Sequence, residues 1–141
     1  SPTHRHQPIM YTIRRYVHVS LVLSVVLLLS ACAAGGDPGS MEAQVLLERL
    51  DDPDAPVVLD VRTPGEYELG HVPGAYNLPD QQVPSRIEEL KQLQDREIVV
   101  YCEVGPRARW VESYLRNQGF TNVKHLQGDM AGWRRSGLPI E

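Results

Sequence analysis

The chain has 141 residues, a formal net charge of −4 and only two cysteines, Cys32 and Cys102. Its length suits one domain, and two cysteines cannot supply the disulfide framework of a small secreted protein, so the fold must depend on an apolar core. The acidic charge balance argues against nucleic acid as a partner.

The N-terminal segment has the layout of a secretory signal. Residues 1–9 precede this layout as an extension with no part in it. From Met10 a basic start with Arg14 and Arg15 leads into an uncharged apolar run over residues 19–30, and small residues follow. That run has 12 residues, whereas a helix that spans a bilayer needs about 20. We therefore expect an export signal rather than a membrane helix.

The end of this segment, Leu29-Ser30-Ala31-Cys32, resembles the lipobox of bacterial lipoproteins. The resemblance implies that Cys32 is diacylated and becomes the first residue of the mature chain. Ala33 follows the cysteine, and in lipoproteins of enterobacterial type this residue, rather than aspartate, implies sorting to the outer membrane. We therefore expect a periplasmic protein with a lipid anchor at Cys32, and a plain signal with an incidental cysteine is the alternative.

Removal of the signal would make the chain more acidic. Residues 1–31 hold three arginines and no acidic residue, so 11 basic and 18 acidic side chains would remain, with a net charge of −7. Residues 32–39 have no apolar periodicity and are predicted to form a short tether. Residues 40–141 are then the folded domain, and their number suits one compact core.

A helix, a buried strand and a short strand are predicted first in the domain. Ser40 can cap a helix. The apolar face of that helix consists of Ala43, Leu46, Leu47 and Leu50. An unbroken apolar run over residues 56–61 predicts a strand that is buried on both faces, as in a parallel sheet. A short strand is predicted at residues 74–78.

The second half of the domain repeats this alternation. Pro84 can open a helix with an apolar side. That side consists of Val83, Ile87 and Leu90. A second unbroken run, over residues 98–102, predicts another strand buried on both faces.

A last helix and strand complete the predicted sheet. An apolar stripe predicts a helix over residues 107–118, and Gly119 stands where it would end. The stripe consists of Ala108, Val111 and Leu115. A short strand is predicted at residues 122–126. The alternation of strands and helices predicts an α/β fold, with a parallel β-sheet flanked by helices on both faces.

Cys102 ends a predicted strand, which is where ligands bind in sheets of this kind. The four residues that follow are Glu103, Val104, Gly105 and Pro106. They lead into the helix that begins near Arg107, whose free N–H groups and charge should favour an ionised, nucleophilic thiol. Gly105 would let the backbone amides surround an anion. On this loop alone, a small buried hydrophobic cysteine is an equal alternative.

Several motifs stand in a fixed order along the domain. The first block reads Asp60-Val61-Arg62, Glu66-Tyr67, Gly70-His71-Val72, Gly74-Ala75 and Asn77-Leu78-Pro79. The sequences YCEVGPRA at 101–108 and GDMAGWRRSGLPIE at 128–141 follow it. These motifs resemble the first block, the active-site loop and the C-terminal motif of the rhodanese domain. With the lipoprotein signal, the chain is similar to single-domain periplasmic rhodaneses of phage-shock type.

The resemblance implies a three-layer rhodanese-like fold and sulfur transfer by double displacement. Cys102 would take the outer sulfur of a sulfane donor such as thiosulfate and hold it as a persulfide. The loop of residues 103–107 would surround this sulfur, which then passes to cyanide or a thiol. No metal and no organic cofactor are implied. Asp60 and Arg62 are implied as a structural ion pair beside the site, and His71 as part of an architectural turn.

Three other functions are alternatives to sulfur transfer. Phosphatases and arsenate reductases of the same fold class place five residues between cysteine and arginine, whereas four separate Cys102 from Arg107. This smaller ring resembles the sulfur-handling members. A thiol redox relay usually needs a resolving cysteine, and lipidation of Cys32 would leave none. A rhodanese-like binding or regulatory module commonly lacks the cysteine, so Cys102 argues against it.

Two departures from the family pattern predict weak binding of thiosulfate. Pro106 has no N–H, so one donor of the amide ring is missing. Glu103 is next to the nucleophile, where its charge is expected to repel an anion and partly offset Arg107. We therefore expect a physiological donor other than thiosulfate.

Overall fold

The computed structural model describes residues 37–141. The predicted signal over residues 1–31, the lipidation of Cys32 and most of the tether over residues 32–39 lie outside the described residues. The described part begins with a turn in which the side chain of Asp37 accepts the N–H of Gly39. In this part of the chain no helix combines the length and the apolar character needed to cross a membrane.

Five parallel strands form a single sheet at the centre of the domain. They are β1 (Ser40–Met41), β2 (Val57–Asp60), β3 (Tyr76–Asn77), β4 (Ile98–Tyr101) and β5 (Val123–Leu126). Their order in the sheet is β1-β5-β4-β2-β3. In the central pair, Asp60 stands opposite Tyr101. Because the strands run in one direction, the residues that follow β2 and β4 are neighbours at the carboxyl edge of the sheet.

Five α-helices and three 3₁₀ segments connect the strands within residues 37–141. The α-helices are α1 (Ala43–Arg49), α2 (Pro64–Glu68), α3 (Ile87–Leu90), α4 (Pro106–Asn117) and α5 (Asp129–Arg135). The 3₁₀ segments are Asp80–Gln82, Pro84–Arg86 and Lys91–Leu93. Helices α3 and α4 cover one face of the sheet, and α1 and α5 cover the other.

Each face of the sheet carries its own apolar core. Side chains alternate along β4, so Ile98 and Val100 belong to the core beneath α4, whereas Val99 and Tyr101 belong to the core beneath α5. All four are buried, as expected for a central strand with helices on both sides. This architecture confirms the predicted three-layer α/β fold.

Most of the predicted elements are present. The strands expected at 56–61, 74–78, 98–102 and 122–126 correspond to β2, β3, β4 and β5. Helix α4 ends at Asn117, and Gly119 follows with a φ of 93°, a conformation that favours glycine after a helix. The apolar runs and the glycine after α4 were therefore sufficient to locate these strands and the end of this helix.

One predicted helix start was wrong, and one predicted helix is interrupted. Ser40 does not cap α1, because its backbone belongs to β1, where it pairs with His125. Its hydroxyl donates to the carbonyl of Asp37 instead. The helix expected from Pro84 is divided into a 3₁₀ segment and α3, because Arg86 leaves the helical conformation with φ −116° and ψ 15°.

Candidate active site

Cys102 follows β4 directly and is 1% exposed. Its Sγ accepts a hydrogen bond from the N–H of Gly105 at 3.0 Å. Its own N–H donates to Asp129 Oδ1 at 2.9 Å, and its carbonyl oxygen accepts the N–H of Met130 at 3.0 Å. The backbone of the cysteine is thus fixed on both sides by the start of α5, and the sulfur faces an amide donor.

The loop after Cys102 turns through Gly105. The φ of Gly105 is 117°, which side chains other than glycine rarely adopt, and an added Cβ would lie 3.3 Å from Asp129 Oδ2. Pro106 then occupies the first position of α4, where a helix does not need the N–H that proline lacks. The positive end of a twelve-residue helix therefore begins next to Sγ. This arrangement can stabilise negative charge on the sulfur.

Arg107 is paired with Glu66. Its Nη1 and Nη2 donate to Oε2 and Oε1 of Glu66, at 2.8 Å each. These hydrogen bonds lower the pKa of Glu66 to about 2, and the same contacts raise the pKa of Arg107. The sequence predicted that the charge of Arg107 favours an ionised thiol. In the structure Glu66 balances part of that charge, so its effect on the thiol is smaller than expected.

Asp60 and Arg62 form a fully buried ion pair beside the loop. Arg62 Nη2 donates to Asp60 Oδ2 at 2.7 Å, and both side chains are 0% exposed. Tyr101 donates its hydroxyl to the same Oδ2 at 2.7 Å. Burial opposes the charge of Arg62, but its hydrogen bonds to Asp60 and the charge of Asp60 outweigh burial and raise the pKa of Arg62. Arg62 is therefore charged at neutral pH.

Glu103 extends this pair toward the surface. Its Oε2 accepts from Arg62 Nη1 at 3.1 Å, and its Oε1 accepts from Arg134 Nη1 at 2.7 Å. We call this group the arginine cluster, and it consists of Asp60, Arg62, Tyr101, Glu103 and Arg134. The charge of Glu103 was expected to repel an anion at the thiol. Two guanidinium groups share that charge, so the repulsion is weaker than the sequence suggested.

A second charged group lies on the other side of Cys102. His125 Nδ1 is hydrogen bonded to Glu112 Oε1, and His125 Nε2 lies 2.9 Å from Asp129 Oδ2. Glu112 is 6% exposed and Asp129 is 3% exposed. We call Glu112, His125 and Asp129 the histidine cluster. It connects α4, β5 and α5 to the amide of Cys102.

His125 and Asp129 are both ionised at neutral pH. Hydrogen bonds to Asp129 and then to Glu112 raise the pKa of His125 to about 9. Burial alone would raise the pKa of Asp129, but the bonds from His125 and from the Cys102 amide outweigh it and lower that pKa. The sequence analysis did not find this cluster. Its one signal was Glu112, a charged residue within the apolar stripe of α4.

The remaining sequence candidates are structural or exposed. His71 Nδ1 lies 3.0 Å from the carbonyl oxygen of Tyr67, and its backbone pairs with Glu141 in both directions. Val104, at the tip of the loop, is 72% exposed. Among residues 37–141 no group of three or more His, Cys, Asp or Glu side chains is arranged to hold a metal ion.

A groove of about 1100 Å³ opens beside the histidine cluster. Its lining residues include Val104, Arg109, Arg116, His125 and Asp129. Cys102 does not line this groove, so the groove reaches the back of the loop rather than the sulfur.

Comparison with known proteins identifies the family of the chain. The model of the rhodanese-like domain matches residues 42–136. A sulfurtransferase of Allochromatium vinosum is 37% identical over 100 residues, which are 71% of this chain and 92% of that protein. A tRNA uridine(34) hydroxylase of Salmonella newport is 35% identical over 108 residues, 71% of this chain but 31% of that protein.

A solved structure gives the same result. The crystal structure of a rhodanese-related protein from Thermoplasma volcanium has a TM-score of 0.64 with 27% identity. The match covers 72% of this chain and 96% of that chain. A TM-score of this size over most of both chains indicates a shared fold. The chain therefore belongs to the rhodanese-like domain family.

Proposed function

We propose that the chain is a sulfurtransferase that carries a sulfane sulfur as a persulfide on Cys102. The observation that carries this proposal is the hydrogen bond of 3.0 Å from the Gly105 N–H to Sγ, at the start of α4. Amide donors and a helix N-terminus favour a thiolate and would favour the anion of a persulfide. The sulfurtransferase of Allochromatium vinosum, which this chain nearly spans, supports the same activity.

The reaction we propose has two displacements. The Cys102 thiol loses its proton to solvent, and the thiolate attacks the outer sulfur of a donor such as thiosulfate. An S–S bond forms on Cys102 while the S–S bond of thiosulfate breaks, and sulfite leaves with the electron pair. Cyanide or a thiolate then attacks the outer sulfur of the persulfide, which releases thiocyanate or a new persulfide and restores the thiolate.

We further propose that thiosulfate binds weakly and that the natural donor carries less negative charge. Near the loop, the cations of Arg62, Arg107 and Arg134 are each paired with a carboxylate. Pro106 at the start of α4 supplies no N–H. Among the described ion pairs none involves Arg109, whose Nε lies beside Gly105, so a dianion would meet this one guanidinium and one N–H donor fewer. A persulfide of a small thiol, with sulfur at its end, fits this environment better.

We also propose that the protein is held in the periplasm by lipid on Cys32, at the outer membrane. The support is the lipobox of residues 29–32 and the alanine at position 33. In an enterobacterial host, labelled fatty acid should enter the full chain but not Cys32→Ala. Ala33→Asp should move the labelled protein to the inner-membrane fraction. Label in Cys32→Ala would overturn the lipidation, and an unmoved Ala33→Asp would overturn the sorting.

A rhodanese-like binding module is a second candidate, and the burial of Cys102 favours it. At 1% exposure the sulfur has little direct access to solvent. The tRNA uridine(34) hydroxylase relative, of which this chain spans 31%, carries a name other than sulfurtransferase. In such a module the loop would serve recognition and would not take up sulfur.

Mass spectrometry distinguishes the two functions. The full chain and Cys102→Ser would be exposed to thiosulfate, to glutathione persulfide and then to cyanide, and the peptide with Cys102 would be weighed after each step. The sulfurtransferase predicts a gain of one sulfur atom on that peptide in the wild type only, and release of thiocyanate with cyanide. No gain with either donor would overturn the proposed function and favour the module.

A further inference from the structure

Three buried or nearly buried charged groups of the domain have no part in the displacements at Cys102. They are Glu112, His125 and Asp129. Charged side chains are rarely buried unless they are paired, and a buried group of three is costly to assemble. This histidine cluster ends at the backbone of Cys102, so its position relates it to the sulfur.

The contacts run in one direction, from α4 through β5 to the loop. Glu112 of α4 bonds His125 of β5, which bonds Asp129 Oδ2. Asp129 Oδ1 in turn accepts the N–H of Cys102 at 2.9 Å. Both ring nitrogens of His125 therefore face carboxylates, and no lone pair is left for another ligand. One carboxylate is thus held directly beneath the cysteine.

The backbone of Asp129 is unusual for its residue type. Its φ is 53°, and among the described residues it is the one residue other than glycine with a positive φ. This conformation is strained for a residue with a side chain. The hydrogen bonds to His125 and to the Cys102 amide use the side chain that a glycine would lack. Asp129 therefore occupies a backbone conformation that suits glycine, and its carboxylate makes hydrogen bonds that glycine could not make.

The charged groups of the cluster differ in their distance from Cys102. Glu112, at the far end, also pairs with Arg116 at 3.3 Å. Asp129 is the member that touches Cys102. Its Oδ2 also lies next to Gly105, whose amide bonds the sulfur, and Arg109 Nε lies beside the same glycine. The carboxylate of Asp129 is therefore the charge of this cluster that lies nearest to the place where a donor must put its sulfur.

We propose that Asp129, held by His125 and Glu112, is a positioning and specificity-determining residue that fixes the Cys102 amide and disfavours negatively charged donors at the sulfur. The inference deepens the proposed function, since it names the class of donor that the site selects. A neutral or singly charged persulfide would enter with less repulsion than thiosulfate. The side chain of Asp129 thus both fixes the position of the Cys102 N–H and places a negative charge beside it.

The charge near Cys102 can be measured without sulfur transfer. Iodoacetamide is neutral and iodoacetate is an anion of similar size, and both alkylate the same thiolate. The ratio of their rates on Cys102 reports the local charge, because the fraction of thiolate and the access to it affect both reagents alike. The rates would be followed on the full chain, on the peptide that contains Cys102.

Three variants give a graded series. Asp129→Asn keeps an oxygen for the Cys102 amide but removes the charge, and we expect the iodoacetate-to-iodoacetamide ratio to rise about threefold to tenfold. Glu112→Gln removes a more distant charge and should raise the ratio less. Glu97→Gln is the matched control, because Glu97 is a partly buried ion-pair carboxylate with Arg49 and Lys124. It should leave the ratio unchanged.

The outcomes separate this inference from the proposed function. An unchanged ratio in Asp129→Asn, in a variant that melts cooperatively, would overturn the role of its charge even if sulfur transfer occurs. An equal rise in Glu97→Gln would also overturn it, because a general change of stability would then be the cause. If sulfur transfer is present, the KM for thiosulfate should fall in Asp129→Asn, while the KM for cysteamine persulfide, whose ammonium group offsets its persulfide anion, changes less. An unaltered KM ratio would count against donor selection.

Discussion

The arginine cluster and the histidine cluster flank the same cysteine and differ in the charges that hold them. The arginine cluster sets two carboxylates, Asp60 and Glu103, against two guanidinium groups, so its net charge is zero. The histidine cluster sets two carboxylates against one imidazole, and its Glu112 also pairs with Arg116. Guanidinium groups keep their proton at every ordinary pH, whereas an imidazole does not. One side of the loop is therefore held by cations that do not titrate, whereas the cation at the centre of the other side does.

The largest effect is expected in the arginine cluster. Arg62→Ala leaves the carboxylate of Asp60 buried without its ion partner, and this should lower the free energy of unfolding by about 3–5 kcal/mol. Urea denaturation followed by circular dichroism measures it. Arg86→Ala, which removes an exposed pair with Glu89, is the control and should leave the midpoint unchanged. A small loss in Arg62→Ala would mean that the pair contributes little to the fold.

The histidine cluster should make stability depend on pH at the alkaline side. Because the pKa of His125 is raised from 6.5 to about 9, its contribution is fully present below pH 6.5 and is lost as the pH rises through about 9. The shift corresponds to on the order of 3 kcal/mol. Unfolding measured between pH 6 and pH 10 should show this loss in the wild type and a flatter profile in His125→Gln. Parallel profiles would contradict the assignment.

A smaller effect is expected at the ion pair of Arg107. Glu66→Gln keeps an acceptor for the N-terminus of α2, since glutamine can replace glutamate in the capping box with Thr63. It leaves the charge of Arg107 unbalanced beside the loop, so the KM for thiosulfate should fall several-fold with little change in kcat. Steady-state kinetics with cyanide as the acceptor measures it. A KM that stays constant would show that Arg107 does not reach the donor.

The smallest effect is expected for Glu103. Because Arg62 and Arg134 share its charge, Glu103→Gln should change the KM for thiosulfate less than Glu66→Gln does. The same assay compares the two variants directly. A larger fall in Glu103→Gln than in Glu66→Gln would restore the simple repulsion that its position in the sequence suggests.

The family resemblance implied the Asp60–Arg62 pair of the arginine cluster, whereas the sequence analysis missed the histidine cluster for a physical reason. Asp60 and Arg62 stand together in one short motif at the end of a strand. Glu112, His125 and Asp129 come from three elements, and their contact depends on how α4 and α5 pack on β5. No local pattern encodes that packing. The apolar runs predicted the sheet well, since strand burial is a local property.

The partner of Arg107 shows the same limit. Glu66 is 41 residues away in the chain, and the motif that contains it indicates a helix rather than an ion pair. For Ser40 a local signal was present, but it predicted the wrong role. Its residue type favours a helix cap, but the ladder between β1 and β5 uses its backbone. Tertiary pairing decided both cases.

Helix α4 is fastened at two points to two different parts of the domain. Arg107 ties its first turn to Glu66 of α2, and Glu112, about 7.5 Å further along the axis, ties it to His125 of β5. Any shift or tilt of the helix would therefore break one of these two ion pairs. Because the loop leads directly into this helix, the width of the ring that the loop forms around Sγ is fixed as well. A graft of residues 103–107 alone into a relative would transfer the loop sequence but not the width of its ring. To keep that width, Glu66, Glu112, His125 and Asp129 would have to be transferred with the loop.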